Sequence, residues 1–137
     1  MDDVTRPAVD DDTRRALVSA LDHLDPIVEL AVGRRPAVAA ALATTNRVTA
    51  TDLVDRPVPA GVRFVRDDLL APDLDVYADA AGLYARNLPE ELHRPALELA
   101  AAVDAAFAFT TLGTDAPAVP VRRRETLPGE TLFWVRE

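Results

Sequence analysis

The residues that could do chemistry in this chain gather at the ends of short apolar runs. In "PIVELAVGRRPAVAAAL", Pro26 to Leu42, a run that reads as a buried strand carries Glu29, ends at Gly33 and gives way to an alanine-rich helix. A carboxylate inside a strand is costly to bury, so Glu29 needs a donor or a solvent-facing edge. Gly33 allows a positive φ and close approach of a ligand to the backbone. Asp52 ends the next strand-like run and lies 19 residues after Gly33. An acid accepts hydrogen bonds from ribose hydroxyls at an interval of roughly 20 residues. Asp67 and Asp68 end the third run, "VRFVRD". The set reads as the walls of a ligand crevice: a glycine for backbone approach, one carboxylate for a ribose, another for an adenine amino group or a nearby amide.

Each residue also has a plainer reading, since a lone glycine after a strand is usually a turn and an acid there a helix cap. The full G-x-G-x-x-G fingerprint is absent, with Ala31 and Arg34 to Pro36 where further glycines would stand. A pyrophosphate would fit this turn poorly. A cofactor without phosphate fits better, which favours S-adenosylmethionine over NAD.

Elements with the right order must position these groups. "TRRALVSALDHL" places apolar residues at helical spacing from Asp12 or Thr13, after a tail of nine residues read as disordered, so that a single domain covers 10–137. Strands are expected in "PIVELAV", "RVTATD", "VRFVRD", "AAGLYA" and "AFAFTTLG", and helices after Pro36 and in "NLPEELHRPALELAAAVDA", where Asn87 and Glu90 form a capping box. "VRRRETLPGETLFWVRE" reads as two strands about a Pro128-Gly129 turn. Strands alternating with helices give a three-layer α/β sandwich with a mostly parallel Rossmann-like sheet. The C-terminal pair has no helix between its members and closes the edge antiparallel. Phe133 and Trp134 alternate there, so one packs inward and the other closes the edge or meets a second copy in a homodimer.

Composition narrows the function classes. The 137 residues include 15 basic and 23 acidic side chains, for a net charge of −8, and every basic residue is arginine. A carboxylate-rich, lysine-free surface suffers less self-repulsion when molar salt screens it, the signature of a salt-loving cytoplasm; a GC-rich genome is the plainer source. Nucleic acid is an unfavoured partner for such a surface, Arg122 to Arg124 being a short basic run. No apolar run approaches membrane-spanning length, the acidic N-terminus is unlike a signal peptide, and the expected location is the cytoplasm. With no cysteine and two distant histidines, neither thiolate catalysis nor a metal site is indicated. No nucleophile with its base stands out either, and no catalytic residue is assigned.

The segments "PIVELAVGRRPAVAAAL", "VTATDL", "GVRFVRDDLLAPDLDVYADAAGLYARNLPEELHRPALELA" and "GETLFWVRE" resemble those of small archaeal proteins, the uncharacterised protein family (UPF) one-four-six. Its members resemble minimal class I S-adenosylmethionine-dependent methyltransferase domains whose activity is unassigned. Two departures stand out. The family resembles E-V-G-x-G in the first turn, where this chain has Ala31, and Y-S-I-R-P-P after the fourth strand, where it has Tyr84, Ala85, Arg86, Asn87, Leu88 and Pro89. If position 31 needs a positive φ, the alanine methyl crowds a ligand there. The resemblance implies that Glu29, Ala31, Gly33, Asp52, Asp67 and Asp68 line a cofactor crevice and that Tyr84, Arg86 and Asn87 face a substrate. The plainer alternatives are Tyr84 in the core, Arg86 on the surface, Asn87 as a helix cap and His93 as a partly exposed helical residue. The rival function is an interaction domain that kept the fold and lost the cofactor.

Overall fold

The computed structural model describes the backbone of 2–137 and the side chains from Asp11 onward. The elements are α1 (Asp2–Leu21), β1 (Ile27–Glu29), α2 (Ala37–Leu42), β2 (Val48–Asp52), β3 (Val62–Arg66), a 3-10 turn at Leu74–Val76, β4 (Gly82–Ala85), α3 (Glu90–Val103), β5 (Ala106–Phe109), β6 (Arg123–Leu127) and β7 (Glu130–Arg136). They build one seven-stranded sheet in the order β3-β2-β1-β4-β5-β7-β6. The first five strands run parallel, and β7 and β6 add antiparallel at the edge, as the missing helix between them requires.

The layers follow from strand alternation. Ile27, Val48, Ala50, Tyr84, Ala108, Leu132 and Trp134 face one side and pack with Leu17 and Leu21 of α1 and Val38, Ala39 and Leu42 of α2. Val28, Leu83, Ala85, Phe107, Phe109, Phe133 and Val135 face the other and pack with Ala96, Leu99 and Ala100 of α3. Phe133 and Trp134 are thus both buried, on opposite faces, because a sheet covered on both sides buries successive residues. The edge is formed instead by β6, whose Arg123, Arg124 and Glu125 give it a charged character that discourages further strand pairing.

Several boundaries differ from those expected. The described helix α1 runs over Asp2–Leu21. β1 ends at Glu29 because the next amides turn to different neighbours, Leu30 N–H to Tyr84 and Val32 N–H to Thr51. α3 starts from Pro89, not Asn87. Asn87 has φ +53°, and its N–H donates to Thr110 Oγ1 at 2.9 Å, so its backbone serves the β4–β5 junction instead of capping the helix. No helix among the described residues is long and apolar enough to cross a membrane.

Candidate functional site

β1 and β4 lie side by side and their chains leave in opposite directions, toward β2 and toward β5, so the strand order reverses between them. In such sheets ligands bind outside the carboxyl ends of the strands at this reversal. Among the described residues, two of the three non-glycine residues with positive φ follow these two strand ends: Ala31 at +53° and Asn87 at +53°. A left-handed alanine costs about 1 kcal/mol or more, so the turn after β1 is held in place by its surroundings. Gly33, at +62°, adopts the same region without that cost.

Asp52 reaches back across this turn. Its Oδ2 accepts the Gly33 N–H at 2.8 Å and lies 3.4 Å from Arg56 Nε, while Oδ1 has Val54 N–H at 3.5 Å. The Gly33 to Asp52 spacing read from the sequence is therefore a direct contact. Asp68 Oδ1 accepts the Leu70 N–H at 2.9 Å. Asp67 is committed to the scaffold: Oδ2 accepts the Tyr77 hydroxyl at 2.5 Å and Oδ1 the Asp73 N–H at 3.1 Å. Burial and this carboxylate push the Tyr77 hydroxyl well up, keeping it protonated.

Ala31, Asp52, Asp67 and Asp68 join Leu53, Leu69, Leu70 and Leu92 around a cleft of about 110 Å³. Sequence reasoning placed Leu92 on the amphipathic helix but missed Leu53, Leu69 and Leu70. Their signal was the pair of apolar dipeptides "DLV" and "DDLL" directly after acids at strand ends, where loops are usually polar. Leu53 and Leu70 remain 60% and 70% exposed, so the cleft has a greasy mouth.

Glu29, Tyr84 and Arg86 face the other way, under α1 and α2. Glu29 and Tyr84 are register partners on β1 and β4, and the Tyr84 hydroxyl donates to Glu29 Oε1 at 2.5 Å with both side chains buried. Tyr84 is the donor that the buried carboxylate demanded. Burial raises the Glu29 carboxyl to about 7, against the lowering effects of the Tyr84 hydrogen bond and the Arg86 charge. Burial and the neighbouring carboxylate also raise Tyr84 well above its ordinary range. Arg86 Nη2 pairs with Glu130 Oε2 on β7 at 2.9 Å, leaving Arg86 Nε and Glu130 Oε1 buried without hydrogen bonds. Tyr84 is thus a core residue and Arg86 a half-buried one. Asn87 instead borders a second cavity of about 420 Å³ with Thr111, Glu130 and Phe133.

His93 is buried too, not partly exposed. Its Nδ1 accepts the Ala118 N–H at 3.0 Å, which makes Nε2 the donor to the Leu88 carbonyl at 2.8 Å. A neutral ring so engaged ties the 118 loop to the start of α3. Among the described residues no cluster of His, Cys, Asp and Glu could hold a metal ion.

Comparison with known proteins bears on the family and the fold. The family model "Uncharacterised protein family (UPF0146)" matches residues 12–137. The chain belongs to this family. A UPF0146 protein of Halobacterium salinarum is 46% identical over 112 residues, covering 81% of this chain and 87% of that protein. One from Archaeoglobus fulgidus is 40% identical over 87 residues, covering 63% of this chain and 67% of its own. Among solved structures, an RNA methyltransferase from Salinibacter ruber in complex with S-adenosyl-L-homocysteine matches with a TM-score of 0.61 at 17% identity, over 96% of this chain and 92% of that one. The fold is that of the Rossmann-like methyltransferases, and the activity of this UPF0146 protein is unassigned.

Proposed function

We propose that this UPF0146 protein is a minimal S-adenosylmethionine-binding domain whose cofactor lies across the turn after β1. The supporting observation is the Gly33 to Asp52 contact, which fixes a carboxylate beside a half-buried left-handed turn at the reversal of strand order. Asp52 would accept the ribose hydroxyls on its two carboxylate oxygens, and Asp68 would accept from the adenine amino group. Leu53, Leu69, Leu70 and Leu92 would sandwich the base. The cleft is smaller than the roughly 300 Å³ at the lower end for small-molecule sites, so it suits the base alone, the rest of the ligand lying along the strand ends. Glu29 and Asp67 act behind these residues, Glu29 through Tyr84 and Asp67 through Tyr77. Bound there, S-adenosylmethionine supplies an electrophilic methyl group. An acceptor held near Asn87, in the cavity shared with Glu130, could react by positioning alone.

The experiment is a thermal melt in molar potassium chloride with S-adenosylmethionine, S-adenosylhomocysteine or NAD. A ligand at a hundred times its dissociation constant adds about 2.7 kcal/mol. The expected result is a shift with the first two, lost in Asp52→Ala, and none with NAD.

A second reading, an interaction domain without cofactor, draws on the Ala31 methyl in the turn and on exposed Leu53 and Leu70. It expects no ligand shift at all, and an apparent mass that rises with protein concentration.

A further inference from the structure

Asp52 already has partners where a ribose would bind. A carboxylate that holds a ribose diol through both oxygens needs a free lone pair on each, and on Oδ2 one of the two already takes the Gly33 N–H. Arg56, four residues on in the loop after β2, lies against the same oxygen at 3.4 Å. Its Nε is buried and has no hydrogen-bond partner, so the guanidinium is held by charge without a formed hydrogen bond. The Arg56 side chain is 26% and the Asp52 side chain 12% exposed, so the pair keeps a solvent-facing part.

We infer that Arg56 competes internally for the ribose-binding carboxylate and that salt relieves the competition. The inference rests on the S-adenosylmethionine reading above and adds to it a residue that sets affinity. A neutral diol cannot replace the guanidinium without breaking an ion pair. Screening at molar salt, where the Debye length falls to roughly 3 Å, weakens that pair while leaving hydrogen bonds to the diol largely intact. Ligand affinity should therefore rise with ionic strength, opposite to the behaviour of a site that attracts its ligand by charge. Arg56 touches no ligand in this account and acts through Asp52.

The test measures S-adenosylhomocysteine binding by calorimetry from 0.2 to 3 M potassium chloride, with Arg56→Gln and Arg56→Lys beside the parent. At low salt Arg56→Gln should bind about fivefold more tightly, the weight of a partly exposed ion pair, and its affinity should vary less with salt. Arg56→Lys, which keeps the charge, should keep the salt dependence. Weaker binding by Arg56→Gln would mean that Arg56 holds the ligand, and an unchanged salt slope would mean that the pair does not govern the site; either overturns the inference. If no protein binds the ligand, the cofactor reading fails, and the ligand-free protein decides the rest. The Gly33 amide resonance, bonded to Asp52, should then move with potassium chloride in the parent and much less in Arg56→Gln; equal movement overturns the competition.

Discussion

The cleft beside Ala31 and the row of charged groups under α1 and α2 start from the same few residues of β1 and are opposite in construction. On the cleft side the carboxylates of Asp52 and Asp68 accept backbone N–H bonds and stay partly exposed beside leucines. On the other side Glu29, Tyr84, Arg86 and Glu130 spend their polar atoms on one another inside the layer. Glu29 is in register with Ala50, two residues before Asp52, so alternation puts the two acids on the same face. Position along the strand separates them: Asp52 closes β2 beside the turn after β1, whereas Glu29 lies under the helices. Glu29 went to the core, where a carboxylate persists only with a donor and a displaced pKa.

If that contrast is right, the largest effects on stability lie on the buried side. Glu29 binds a proton in the folded protein up to about pH 7, whereas its ordinary value is 4.5. Between these values the folded state holds more protons than the unfolded one. Glu29's contribution is therefore fully present below pH 4.5 and is lost as pH rises through about 7. Its full span is about 3 kcal/mol, from the size of the displacement. Urea titrations at constant molar salt should show Glu29→Gln gaining most of this at pH 8 and little at pH 4; equal gains at both would mean that Glu29 is not buried as described.

Arg86→Met strands the Glu130 carboxylate and removes a charge that favours ionised Glu29, and should cost about 1–3 kcal/mol at pH 8, less than a fully buried pair would. The same titrations check it, with a smaller loss expected at pH 4 once Glu29 is protonated.

Ala31→Gly lies on the other side of the comparison. Relief of a positive φ should stabilise the fold by about 1 kcal/mol or less, and removal of the methyl should tighten S-adenosylhomocysteine binding. Asp104→Gly, at the left-handed cap of α3, is the control: no change in binding, and a gain in the melt reduced by loss of the 2.7 Å ion pair with Arg136. The smallest effect on stability belongs to Leu70→Ala, within about 0.5 kcal/mol for so exposed a side chain. Calorimetry should nevertheless show it binding the ligand more weakly, because Leu70 is a wall of the cleft and not a part of the core.

Local features of the site were legible in the sequence, and partnerships across the sheet were not. Gly33 could be placed because a strand end needs a residue tolerant of positive φ, and Asp52 because the strand-helix-strand repeat fixes its distance. Glu29 announced that it needed a donor but not which, since Tyr84 lies 55 residues away on a strand paired out of sequence order. Asn87 followed by Glu90 has the form of a capping box, yet Pro89 starts the helix and Thr110, 23 residues on, takes the Asn87 N–H. His93 looked like a surface residue for the same reason, its partner Ala118 lying in a loop beyond β5. The antiparallel edge was readable from the lack of a helix between the last two strands, whereas the burial of both Phe133 and Trp134 depends on what covers each face.

The central claim is that a ligand belongs to the cleft and not to the buried row. The direct measurement is a titration of the isotopically labelled protein in 2 M potassium chloride with S-adenosylhomocysteine, following backbone amide resonances. The account predicts saturable shifts centred on Gly33, Asp52, Asp68, Leu69 and Leu70, with the amides under α1 and α2 little changed. No saturable shift, or shifts centred on Tyr84 and Glu130 with the Gly33 and Asp68 amides still, would contradict it.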